Sequence, residues 1–196
     1  LNDKSVKYID TLNELKQKRA NYPFSFWRPS ASHWNDVGSC LLLNQILLKT
    51  SNQPLNCDDY KLEPARSTDI DLYEIANLFF APSLDIKMPY ISTAQRRESP
   101  VFNKVVLVGT SYLFSLHEQL LRWNLAKEVE HLLYYRQIKR NSERDFRNLD
   151  KRKYDFKDAL NADLMLTDAP AHAPAAFGYN FVEDLHTYMF QAKKVH

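Results

Sequence analysis

The sequence predicts an α/β fold in which a parallel sheet is covered by helices on both faces. Apolar runs at Lys104-Val105-Val106-Leu107-Val108 and Ala162-Asp163-Leu164-Met165-Leu166-Thr167 have the character of strands buried on both sides. Between and around such runs, apolar residues recur at helical spacing. Strand-like and helix-like segments alternate along the chain, the pattern of a sheet with helices packed on it. At 196 residues and 44% hydrophobic content the chain is expected to form one domain, residues 1–196, with a substantial core.

Taken in order, Val6, Ile9, Leu12 and Leu15 predict a helix from about Ser5 to Ala20, ended by Asn21-Tyr22-Pro23. Phe24 to Trp27 is an aromatic run suited to a strand. After a turn at Pro29-Ser30-Ala31-Ser32, Asp36 to Lys49 reads as a strongly apolar helix. Thr50 to Thr68 is polar and loop-like, Asp69 to Phe79 helical, and Ala81 to Asn103, with three prolines, an extended loop. The strand at Lys104–Val108 ends at Gly109-Thr110-Ser111 and leads into a helix from about Leu113 to Asn124. Val129 to Ile138 reads as another strand, and Val182 to Lys193 as a terminal helix.

Composition narrows the function classes. A formal charge of +2 is too small to argue for nucleic acid, and no nucleic-acid partner is expected. The basic residues of Arg136 to Lys153 alternate with acidic ones, as on a solvated, salt-bridged helix face. No apolar run reaches the length of a membrane span. Three glycines do not form a dinucleotide or phosphate loop, and no His, Cys or carboxylate set has the spacing of metal ligands. Neither a metal nor a cofactor is therefore expected. Cys40 and Cys57 are too few for a disulfide framework; they could pair outside the cytoplasm, or remain two free thiols.

Two motifs carry chemistry. In Val105-Val106-Leu107-Val108-Gly109-Thr110-Ser111-Tyr112 a buried strand ends at a Ser that opens a helix, so the hydroxyl projects at the carboxyl edge of the sheet. Open α/β sheets bind ligands at that edge, and the free N–H groups of a helix N-terminus suit an oxyanion. Gly109 allows close backbone approach. Ser111 equally fits the N-cap of the helix, and the motif alone does not separate the two roles. In the second motif, residues 26–39, His33 sits on a loop between a predicted strand and a helix, where it could serve Ser111 as base. Trp34 fits packing beneath that loop. Trp34, Tyr112 and His172, the last in the Pro170-to-Pro174 loop, are the candidates for substrate contact, with structural packing or surface decoration as the competing roles. His117, His131 and the helical Asp184-Leu185-His186 read as structural.

His33-Trp34-Asn35 with Gly38, followed by Gly109-Thr110-Ser111, resembles the AlgJ/AlgX-like SGNH-hydrolase domains of bacterial, alginate-type polysaccharide O-acetyltransferases. In that family an Asp-x-His-Trp motif precedes a Gly-(Thr/Asp)-Ser motif, the reverse of the order in ordinary SGNH esterases. Asp69-Ile70-Asp71-Leu72 and the stretch from Ala162 through Gly178, Phe181 and Val182 also look like family segments, so the resemblance covers about Tyr22 to Tyr188. It implies an SGNH-hydrolase-like (flavodoxin-like) sheet, truncated at the N-terminus and so part of a longer chain. It implies Ser111 as nucleophile, His33 as general base, and Ser111 with Gly109 around the oxyanion. The family's Asp, two residues before the His, is replaced by Ala31. An engineered change, a substitute carboxylate (Asp36, Asp69 or Asp71) and a weaker dyad are all open explanations. The resemblance further implies a periplasmic or cell-surface location, an acetyl donor presented by a membrane-bound acyltransferase partner, and a polysaccharide acceptor. An acetylesterase would use the same residues. Ala31 favours the alternative of a non-catalytic polysaccharide-binding module on a degenerate SGNH fold, in which Trp27, Tyr90 or Tyr179 could stack on sugars.

Overall fold

The computed structural model describes residues 9–27, 33–66, 87–92, 95–168 and 178–193. They fall into two compact units, Leu1–Gln95 and Arg96–His196. In the first, helix α1 (Thr11–Lys18) is capped by Asp10, whose carboxylate accepts from the Asn13 N–H at 3.0 Å. A 3-10 turn, Arg19–Asn21, ends it before Pro23. Helix α2 (Asp36–Thr50) is buried without a break from Val37 to Leu43, so it is a core helix with no polar face along that stretch. A disulfide joins Cys40 to Cys57 across a Cα separation of 5.7 Å, tying the middle of α2 to the chain ahead of strand β1 (Tyr60–Pro64).

Strand β1 pairs antiparallel with β2 (Lys87–Ile91), Tyr60 opposite Ile91. Both strands lie where the sequence predicts loops. Pro64, Pro89 and the exposed Leu62 hide the alternation, and a two-stranded ribbon accommodates prolines that a central strand would not. Conversely, Phe24–Trp27 is not a strand. It contributes a single antiparallel bridge, Trp27 to Trp34, and its aromatics instead form a cluster of Tyr22, Phe24, Phe26 and Tyr60 with ring centroids 5.0–6.1 Å apart. The predicted helix Asp69–Phe79 lies outside the described residues.

The second unit is built on a five-stranded sheet with order β6-β5-β4-β3-β7. Strand β3 (Phe102–Gly109) runs parallel to β4 (Ala126–Leu133) on one side and to β7 (Leu164–Thr167) on the other. Helix α3 (Phe114–Arg122) connects β3 to β4 and packs on β4. The sheet is mixed, however, and not wholly parallel. Strands β5 (Gln137–Arg140) and β6 (Arg147–Asn148) are antiparallel additions. The turn from β4 to β5 is three residues long, too short for the crossover that a parallel strand needs. The predicted charged helix of Arg136–Lys153 is thus two short strands and a 3-10 turn (Lys151–Lys153). Only Ile138, Phe146 and Leu149 are apolar along it, too few for a helical stripe.

Val105, Val106, Leu107 and Val108 are fully buried, which is why β3 reads as a continuous apolar run. On one face, Val106, Val108, Leu132 and Ile138 meet Phe156 of helix α4 (Phe156–Leu160) and Phe181 of helix α5 (Phe181–Lys193). The opposite face holds a buried histidine pair. His131, opposite Leu107 in the ladder, has its ring centroid 5.9 Å from His117 of α3 and 5.4 Å from Phe114. His117 Nε2 meets the Asn141 carbonyl oxygen at 2.7 Å.

Burial pushes the His131 imidazole down to about 3, helped by the charge of His117 and opposed by the Thr110 backbone. Folded His131 therefore stays neutral where an unfolded chain protonates near 6.5, and the unfolded state binds the extra proton. Stability is expected to fall as pH drops from about 6.5 towards 3, by up to roughly 1.4 kcal/mol per pH unit. Urea denaturation at stepped pH should show a shallower slope in His131→Leu; an unchanged slope would refute the assignment.

Candidate active site

Ser111 follows the last residues of β3 and opens the 3-10 turn Ser111–Leu113 that leads into α3. Thr110, not Ser111, is the cap: its backbone is extended and its Oγ1 accepts from the Tyr112 N–H at 3.2 Å. Thr110 is in turn held by Asp168, the residue that follows β7. The Asp168 carboxylate accepts from the Thr110 N–H at 3.1 Å through each oxygen, and from the Thr110 hydroxyl. These bonds clamp the backbone on both sides of Ser111. Among the described residues the Ser111 hydroxyl makes no hydrogen bond and nothing accepts its N–H.

Register explains the arrangement. Val108 lies opposite Thr167 in the parallel ladder, and Asp168 N–H continues it by donating to the Val108 carbonyl at 3.4 Å. The Asp168 side chain then fills the space above Gly109. A Cβ on Gly109 would collide with Asp168 Oδ1, so the close approach expected of this glycine is made by a carboxylate of the protein itself. On the other flank, Tyr134 N–H donates to the Gly109 carbonyl at 2.7 Å. Asp168 is half-buried, and desolvation pushes its carboxyl up against the opposing pull of its Thr110 hydrogen bonds.

Sequence reasoning missed Asp168, although a signal for it existed. It is the first residue after β7, which runs parallel to the Ser-bearing strand and so ends at the same edge; as the end strand of the sheet, β7 is half-buried along its length and not buried on both sides as its apolar run predicts. Tyr112, predicted to contact substrate, is half-buried beside Ser111.

His33 belongs to the first unit, whereas Ser111 lies in the second. His33 is half-buried on the bend before α2. Its neighbours in the motif have structural roles. Asn35 caps α2 through the Gly38 N–H at 2.9 Å, donates its side-chain amide to the Ser25 carbonyl at 2.7 Å, and donates its N–H to the Phe26 carbonyl at 2.8 Å. Gly38 admits this backbone: a Cβ there would stand 3.2 Å from the Phe26 oxygen and from the Trp34 Cβ. Trp34 is buried, which agrees with packing beneath the loop and not with an open substrate contact. Asp36 lies in the first turn of α2 and accepts from the Ile91 N–H at 3.4 Å. Of the proposed sugar-stacking rings, Tyr90 is buried, Trp27 exposed and Tyr179 half-buried. Ala31, Asp69, Asp71 and His172 lie outside the described residues.

No cluster of potential metal ligands occurs among the described residues, and no described helix is long and apolar enough to cross a membrane. Comparison with family models, with curated proteins and with solved structures finds no match.

Proposed function

We propose that the chain is a Ser-His O-acetyltransferase that acetylates hydroxyls of a cell-envelope or extracellular polysaccharide through an acetyl-Ser111 intermediate. The observation that carries this reading is the division of labour at the end of β3. Thr110 performs the capping that would otherwise account for a Ser at this position, which leaves the Ser111 hydroxyl and N–H at the sheet edge. His33 takes the Ser111 proton as Oγ attacks the acetyl carbonyl, and the Ser111 N–H meets the developing oxyanion. The donor's leaving group departs with that proton. A sugar hydroxyl then attacks the acetyl-serine and gives its proton to His33, after which the proton returns to Ser111. Water in place of the sugar would make the same residues an acetylesterase. The donor on this reading comes from a membrane-bound acyltransferase partner, and the Cys40–Cys57 disulfide supports an oxidising compartment such as the periplasm or cell surface.

Intact-mass analysis after incubation with an activated acetate ester tests the reading. One acetyl group is expected on Ser111 and none in Ser111→Ala; an adduct that survives Ser111→Ala, or none in either, would sink it. The clamp gives a graded companion test. Asp168→Asn cannot accept the Thr110 hydroxyl proton on its amide nitrogen, so the turn that presents Ser111 loosens. Turnover is expected to drop about 10²-fold, the scale of a small misplacement of reacting groups. Thr110→Val should do the same, and the double variant no worse than either. With Asp168 intact, the acid limb set by protonation of His33 should carry a second inflection, displaced upward from the ordinary range of an aspartate, and Asp168→Asn should remove that inflection alone.

The alternative, a polysaccharide-binding module that has lost catalysis, is favoured by Ala31 in the position of the family's Asp. It predicts sugar binding without any acetyl-enzyme.

A further inference from the structure

We propose that Tyr134 and Tyr179 form a stacking platform for a pyranose ring, placed beside Ser111 to hold the acceptor sugar. What the platform serves rests on the acyl-transfer reading of Ser111; the platform itself is argued from the backbone and rings alone.

Tyr134 and Tyr135 form the first two positions of the turn between β4 and β5, and both are left-handed, with φ of 50° and 48°. Consecutive left-handed residues are the province of Gly and Asn, because a side chain there crowds its own backbone. Tyr135 has an evident reason to be a tyrosine. It is fully buried, with its ring 5.2 Å from Phe181 and 6.4 Å from Tyr154, so core packing holds it in the strained shape. Tyr134 has no such reason, being 39% exposed.

A second strained segment meets it. Gly178, Tyr179 and Asn180 are left-handed in succession, with φ of 65°, 51° and 71°. The Tyr179 and Tyr134 rings stand edge to face, centroids 5.3 Å apart and planes at 86°. Two separate turns thus each hold a tyrosine in an unfavourable backbone state, and the two rings come together. Strain of this kind persists where the surrounding structure enforces it, and it collects at binding sites.

Their position is the sheet edge that bears Ser111. Tyr134 N–H bonds the Gly109 carbonyl, two residues before Ser111. Burial, followed by the charge of Asp168, pushes the Tyr179 phenol up. The result is an aromatic surface with hydroxyl tips, bordered by a carboxylate. A pyranose matches both parts: its C–H face packs on an aromatic ring, and its hydroxyls find the phenols and the carboxylate. A proline-rich peptide would use the rings but has no hydroxyls to set against the phenol tips, so the sugar is the better fit.

The test uses the full chain with three probes: cellohexaose and the hexamers of 1,4-linked mannuronate and of 1,4-linked galacturonate. Saturation-transfer NMR measures binding, and acetyl-Ser111 formation from an activated ester without sugar is followed alongside. At least one hexamer is expected to bind. Tyr134→Gly removes the ring and relieves its left-handed backbone, so loss of binding in it does not report unfolding. That variant and Tyr179→Ala should each weaken binding about tenfold or more; Tyr179→Phe should retain binding within about threefold. Failure of all three hexamers to bind, or binding that survives both ring deletions, would overturn the platform. So would a proline-rich peptide that occupies the rings and is not displaced by any hexamer. Binding through the tyrosines without acetyl-Ser111 would uphold the platform and defeat the acyl-transfer reading. Acetyl-Ser111 formation with binding indifferent to the tyrosines would do the reverse.

Discussion

Ala31→Asp is expected to raise the rate of acetyl transfer by up to about 10⁴-fold, the loss seen when the orienting carboxylate of a serine protease triad is disabled. The reason is electrostatic and geometric. A carboxylate bonded to one imidazole nitrogen fixes which nitrogen carries the proton, and it stabilises the imidazolium that forms when Ser111 is activated. With Ala at that position, the carboxylate that the family motif supplies to His33 is missing from position 31. Asp36 already sits in the first turn of α2 and accepts from the Ile91 N–H. Pre-steady-state acylation with an activated ester checks the expectation, with Ser111→Ala in the Ala31→Asp background as control. No gain on restoring the carboxylate would remove position 31 from the mechanism. A gain that survives Ser111→Ala would remove Ser111.

The second large effect concerns stability. Glu130 of β4 is 3% exposed; its Oε1 accepts from the Tyr154 hydroxyl at 2.5 Å and its Oε2 from Arg140 Nε at 2.6 Å. Burial, followed by the Glu130 charge, pushes the Tyr154 phenol far up, so it remains a proton donor to Glu130 at any ordinary pH. Glu130→Ala leaves a buried hydroxyl without its acceptor, opens a cavity and strips Arg140 of its partner. The expected cost is about 3–5 kcal/mol, read from urea denaturation. Arg140 is 46% exposed and finds water readily, so most of that cost belongs to the buried side of the network. Glu130→Leu combined with Tyr154→Phe should therefore recover most of the loss. A double variant as unstable as Glu130→Ala would show the arginine pair to be dominant.

The elements legible from sequence are those whose burial is uniform. Helix α2 and strands β3 and β7 announce themselves because no polar face interrupts the apolar run, and α5 because its apolar residues keep helical spacing. Strands β1, β2, β5 and β6 did not, since they are short, proline-bearing or charged, and their pairing is fixed by turns and neighbours that no local pattern records. The site divides in the same way. Gly109-Thr110-Ser111 is legible as a strand running into a helix. Asp168 is legible only once β7 is laid parallel to β3, and the capping role of Thr110 only from hydrogen bonds. Neither left-handed tyrosine has a sequence signal, because both stand where Gly or Asn is the ordinary choice.

The closed loop around Asn35 bears on how such chains decay through descent. Trp34, Asn35 and Gly38 are each required by the fold: one is buried, one caps α2 and reaches back to Ser25 and Phe26, and one gives the backbone room to pass. Selection for folding alone would preserve all three in a lineage that had abandoned catalysis.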